Sequence, residues 1–432
     1  MTKGMTLKIG PLFFALITPL SFGLESTQTL PKGVSRVRNV DIFSRSVGDK
    51  YDSNGKLRGV ADPLNKSITA GQIIEAGLKS DPKNEDYVSL KALYEGLNNL
   101  DPNQNLGEFF QVDLTGDAAI QARRHYLSYE YGISNDLSFG ISIPLIHYDV
   151  SANVSANMVS NSAALKNLNL VQAAKIGPKL DTVAAKSADI EEAVLNAAFD
   201  DKGYQRPHDF SYSAFGELEI GAKKSWLRKE HHGFSTQVNL RLPTASKKKD
   251  YTNIFDPGVG DNQTDLYTLF VYDYMPTSNW RLGTSAKYTF QIPDTEYMPV
   301  RRNGESGLAD LNDPYVWDNV GRNLGDSLDY EVIAAYSFYK KRFNATAIYN
   351  FHTKASDSIR GSKDLDYASI SEGTSKSFHG YEFGIQYSTV NDVLTKGSGV
   401  PFEVRVAYND TIAGKNTYDA SFYRLDLHLY FK

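Results

Sequence analysis

Charged residues in this sequence recur at alternate positions within apolar runs, and that spacing decides what chemistry they can do. Arg124 and Glu130 alternate with Leu127, Tyr129 and Tyr131, and Glu217, Glu219 and Lys223 alternate with Leu218, Ile220 and Ala222. Arg241, Arg281, Lys287, Glu331, Glu382, Glu403, Arg405, Arg424 and Asp426 repeat the arrangement towards the C-terminus. In an extended chain, residues two apart share a face. Both signs of charge on the wet face of successive strands, gathered round a lumen, would make a selectivity ring. Alternatively, they neutralise one another and fill the bore. The same set is poor material for catalysis. No G-x-S-x-G elbow, H-E-x-x-H pair or Gly-rich phosphate loop is present. With no cysteine, a disulfide framework, a thiolate metal site and a Cys nucleophile are excluded. His231-His232 falls in a turn and reads as solvated. The acids Asp256, Asp261 and Asp265, and Asp310, Asp313 and Asp318, lack the spacing of a known Ca²⁺ loop. No metal and no other cofactor is expected.

The elements that must position these charges are strands. Phe210 to Pro243 is the clearest case. Phe210, Tyr212, Ala214, Gly216, Leu218, Ile220, Ala222 and Trp226 are placed on one face, with Ser211, Ser213, Glu217, Glu219 and Lys223 on the other. The turn Arg228–Gly233 reverses the chain, and Phe234, Val238, Leu240 and Leu242 repeat the apolar face. Such alternation needs an apolar medium on one side and water on the other. In a soluble sandwich that medium is a second sheet, and in a transmembrane barrel it is lipid.

The chain as a whole favours the barrel. Its 432 residues are 41% hydrophobic and 12% aromatic, with a net charge of −5, a balance that gives no reason to expect nucleic acid. Residues 1–23 have a basic start (Lys3, Lys8), an apolar run from Ile9 to Leu20, and small residues at Ser21 and Gly23. They read as a signal peptide, leaving 24–432 as the barrel. Strands are expected at Val34–Val47 (with poor alternation), Gln121–Ile133, Leu137–Ile146, Gln263–Tyr274, Trp280–Gln291, Ser327–Phe338, Phe343–His352, Ser377–Ser388, Pro401–Thr411 and Tyr418–Lys432. With the Phe210–Pro243 hairpin this makes about twelve. Long and short connections alternate, as they do when all long loops lie on the outer side. Two inserts carry helical spacing: Ile68–Leu100, and Ala152–Asp209 with helices in Ser162–Ile176 and Leu180–Phe199. They would plug the lumen, cap it or decorate a loop. The final strand ends Tyr423, Leu425, Leu427, Leu429, Phe431 on one face. That stripe suits recognition by barrel-insertion machinery, although Lys432 follows the aromatic.

Three stretches resemble the phenol meta-pathway degradation family of outer-membrane proteins, related in architecture to FadL-type channels. They are Tyr131–Ser138 leading to Ile143-Pro144, Gly216–Lys223, and Leu240–Thr244 followed by Gln263-Thr264-Asp265. Lys224 stands where the family has Tyr, and Ala245 where it has Gly. The resemblance implies a bacterial outer-membrane barrel that passes small compounds, hydrophobic or aromatic ones included, and it supplies no catalytic residues. The expectation is therefore an all-β transmembrane antiparallel barrel acting as a passive channel, with outer-membrane lipid and a small-molecule substrate as partners. The alternatives are a structural or surface-interaction barrel with a blocked lumen, and a barrel enzyme.

Overall fold

The computed structural model describes residues 26–80, 82–99, 106–160, 179–181, 183–200, 203–302, 316–396 and 399–432. The expected signal peptide, the helix in Ser162–Ile176, Asp310 and Asp313 lie outside them.

Twelve antiparallel strands close into a barrel. They are β1 (Ser35–Ser44), β2 (Phe110–Ser134), β3 (Leu137–Ser160), β4 (Leu218–Arg228), β5 (His232–Leu242) and β6 (Asp265–Tyr274). The others are β7 (Trp280–Gln291), β8 (Ser327–Phe338), β9 (Phe343–Lys354), β10 (Lys376–Ser388), β11 (Phe402–Lys415) and β12 (Ser421–Phe431). Closure comes from β1, which pairs with β12 on one side and β2 on the other. Ser35 and Phe431 are partners, so the start of β1 and the end of β12 lie at one end of the barrel with the tight turns. The long connections lie at the opposite, loop end. No helix among the described residues is long and apolar enough to cross a membrane.

Outward side chains form an uncovered apolar band, for example Leu127, Ile141, Val238, Phe270, Ile385 and Leu425. Aromatic rings rim its terminal end in a chain of contacts. Ring centroids are 4.9 Å apart for Trp280–Tyr336, 5.6 Å for Phe338–Phe343, 5.3 Å for Phe343–Tyr387 and 5.9 Å for Tyr387–Phe402. Strand propensity alone does not align rings across five neighbouring strands; a girdle at an interface does.

Three features depart from the sequence reading. First, the strand beginning at Phe210 is interrupted. Phe210–Phe215 pairs with Leu145–Val150 of β3, and β4 pairs with Leu137–Ser142. One extra residue lies between, at Gly216-Glu217-Leu218 against Ile143-Pro144. A bulge of this kind exchanges the faces. Ala214 is consequently buried inside and Phe215 is exposed, reversing the expected orientation of Phe210, Tyr212 and Ala214.

Second, β2 and β3 overrun the barrel. Their pairing continues to Phe110↔Ser160, so Ala152–Ser160 is strand where an irregular insert was expected. The inward residues there include Ala152 and Ala156, whose small side chains give weak periodicity.

Third, the helices α1 (Ala70–Ser80), α2 (Glu85–Asn98) and α3 (Ser187–Ala198) pack on this protruding hairpin. Ile73, Leu97, Val112, Ile120, Val194 and Phe199 share one apolar core. The core reaches Ile254, Phe255 and Val259 of the loop after β5. The described helices thus form an apolar cap on the hairpin.

The poor alternation of β1 also has a cause. Its inward face carries Val40 and Ile42, which pack with Phe422 and Tyr126. Its outward face carries Asn39 and Asp41, hydrogen-bonded to each other at 3.1 Å.

Candidate functional site

The inward faces of the strands enclose two cavities. One, of about 990 Å³, lies towards the loop end, and one, of about 1020 Å³, towards the terminal end. Both reach Glu219 and Tyr267. There the Tyr267 hydroxyl donates to Glu219 Oε2 at 2.9 Å, a buried hydrogen bond that spans β5 on one wall of the lumen.

The residues expected to line the lumen divide among three places. Arg124, Glu217, Arg241 and Lys287 line the loop-end cavity. Glu130, Lys223, Arg281, Glu403, Arg405 and Asp426 line the terminal-end cavity, with Glu219 in both. Glu331, Glu382 and Arg424 are knit into the wall by Ser285, Arg405 and Asp426 respectively. Opposite charges meet on neighbouring strands. Arg241 pairs with Asp265 and, at 3.4 Å, with Glu217. Lys287 sits 2.9 Å from Asp329, which also holds His352 at 2.7 Å. Arg405 contacts Glu382 and, at 3.6 Å, Asp426. Charges removed from bulk water need such partners. The pairing fixes their positions while leaving dipoles along the bore.

Several partners escaped the sequence reading: Asp265, Asp273, Asp329, Arg36, Arg38 and Tyr267. Their signal was available. Asp265, Tyr267 and Asp273 share the inward parity of β6, and Arg36 and Arg38 that of β1. Of the loop acids considered for a cation, Asp256 holds neighbours in its own part of the fold. Asp256 accepts from Tyr212 at 2.7 Å and from the Gly258 amide at 3.0 Å. His231 Nδ1 bonds Met275 O at 2.8 Å, and His232 Nδ1 bonds the Tyr272 hydroxyl at 2.8 Å.

The terminal end holds a strap that the sequence did not announce. Ser26–Pro31 runs inside the barrel mouth and lines the cavity there. Both the Thr27 amide and its hydroxyl donate to Asp273 Oδ2, at 2.8 and 2.9 Å. The Leu30 amide donates to Ser138 Oγ at 2.9 Å, Lys223 donates to Ser26 O, and Arg228 to Thr29. Glycine makes this approach possible. A Cβ on Gly233 would lie 2.1 Å from Thr27 Oγ1, and one on Gly132 would lie 2.1 Å from Pro31 O.

No protein-family model and no curated protein matches the chain. Similar solved structures include an outer-membrane channel from Pseudomonas putida F1, with 10% identity and a TM-score of 0.49 over 94% of this chain and 98% of that one. The Pseudomonas putida toluene transporter TodX gives 8% and 0.33 over 99% and 98%. A Pseudomonas aeruginosa FadL homologue gives 9% and 0.32 over 93% and 90%.

The loop after β5 adds titratable groups to the loop-end cavity, Lys249 among them. Lys249 lines it, and burial pushes its ammonium down to about 8 against the opposing pull of Asp256 and Glu296. It therefore exchanges its charge at mildly alkaline pH.

Proposed function

We propose that this chain is an outer-membrane channel for passive uptake of small molecules, hydrophobic or aromatic compounds among them. The observation that carries the reading is the pair of luminal cavities meeting at the Glu219–Tyr267 hydrogen bond, inside a barrel whose exterior is apolar. A solute would wait in the loop-end cavity, pass the level beside Glu219 and Tyr267 that both cavities share, and leave past the strap. The resemblance of Tyr131–Ser138, Gly216–Lys223 and Leu240–Thr244 to the phenol meta-pathway family supports the aromatic end of the range.

The balanced charges near Glu219 would set which solutes cross. Single-channel conductance in planar bilayers, with swelling of liposomes in small solutes, tests the reading. A barrel that neither conducts nor admits any solute sinks it. The cap and the strap together support a second reading, a sealed barrel whose loop-end domain meets a partner. A sealed barrel in the conductance measurement would favour that reading.

A further inference from the structure

The loop-end cavity has two unlike walls. Lys287, Asp329, His352, Lys354 and Asp357 stand on and beside β7–β9, closed into opposite-sign pairs. The wall across from them, on β2 and β3, carries Tyr126, Pro144, Ile146 and Tyr148, below the Lys50, Asp52, Arg58 and Asp62 of the β1–β2 connection. Arg124 stands in its midst. Its cross-strand neighbours are Ile42 on β1 and Ile146 on β3. Its Nη1 donates to the Tyr126 hydroxyl at 3.4 Å, and the Tyr148 hydroxyl is a second partner. Tyr126, Pro144, Ile146, Tyr148 and Val259 line the cavity around it. Phenol hydroxyls orient a guanidinium without cancelling its charge. The planar fork can take a carboxylate through two hydrogen bonds, while an apolar rim shelters a ring and strengthens the charge interaction.

We propose that this wall binds a small aromatic anion, with its carboxylate or phenolate on Arg124 and its ring against Tyr126, Pro144, Ile146 and Val259. The proposal rests on the channel reading and narrows its substrate class from small molecules in general to ring compounds carrying one negative charge. A neutral ring satisfies only the apolar half of the site, and a small aliphatic acid only the guanidinium.

Titration calorimetry on the full chain in detergent, with benzoate, benzyl alcohol and acetate as probes, separates these cases. Benzoate should bind about tenfold tighter than either of the others, the worth of one charge-assisted hydrogen bond set. Arg124→Gln should bring benzoate down to the level of benzyl alcohol and leave benzyl alcohol unchanged, with Arg124→Lys intermediate. Equal affinity for benzoate and benzyl alcohol in the parent chain overturns the proposal. So does a benzoate preference that survives Arg124→Gln. If that variant does not fold, as judged by heat-modifiable gel migration, the three-probe comparison on the parent chain decides. A barrel that binds benzoate but does not conduct defeats the channel reading and leaves this site standing. A conducting barrel indifferent to the carboxylate defeats the site alone.

Discussion

At the loop end the helices are held on the barrel by apolar packing, and at the terminal end the strap is held by hydrogen bonds. At the loop end, Leu97, Val112, Ile120 and Phe255 belong to one continuous core, each almost wholly buried. At the terminal end the strap Ser26–Pro31 is held through Asp273, Ser138, Lys223 and Arg228. Apolar burial is lost only when a large area separates at once, so the cap behaves as a fixed lid. Hydrogen bonds to a strap can be replaced one by one by water, each contributing about 1 kcal/mol net and somewhat more to a charged partner. The difference assigns movement to the terminal end and shape to the loop end.

The largest test of this contrast is Leu97→Ala. Removing a fully buried side chain should cost the cap about 2–5 kcal/mol. Protease should then cut the cap first while the barrel keeps its heat-modifiable migration; loss of the barrel together with the cap would break the comparison. The second test frees the strap. Asp273→Ala removes both bonds to Thr27, and because the chain has no cysteine, a single Gln28→Cys reports on the strap without background labelling. Thiol labelling should accelerate about tenfold, and conductance should rise; unchanged labelling would show that Asp273 does not hold the strap.

The third concerns the level where the cavities meet. Glu219→Gln should shift selectivity towards anions. The shift should be clear at low ionic strength and small near 1 M salt, where the screening length falls to about 3 Å. A shift that salt does not weaken would argue for a change of bore rather than of charge.

The smallest effect is titration of Lys249. Its folded value of about 8 lies below the usual value of about 10.4, so the unfolded chain binds more protons between the two. Stability should rise with pH across that window and be flat below it. Cation preference at the loop end should rise as the ammonium discharges, and Lys249→Met should flatten both profiles.

Much of the barrel was legible in the residues. The outward stripe Tyr423–Phe431, the tight turn at Asn135-Asp136 and the alternation of long and short connections report strand period and chain direction, which are local properties. The inward parity of Arg124, Glu130 and Glu219 was legible for the same reason. Phe110–Ile120 carried an equally clear pattern of Phe110, Val112, Leu114, Ala118 and Ile120, yet the strand was expected to begin only at Gln121. The partners Asp265 and Asp329 were harder to read, because pairing depends on which residue stands opposite.

By itself, the sequence determined that this chain is a barrel of about twelve strands with an apolar exterior and a charged bore, because side-chain period and turn spacing are written along the chain. Tertiary structure alone decided that the bulge at Gly216–Leu218 turns Tyr212 inward, that the described helices pack on the β2–β3 hairpin, that Ser26–Pro31 lies against Asp273, and that Glu219 meets Tyr267. Each of those depends on register between strands and on close approach of segments distant in sequence, and no local pattern encodes either.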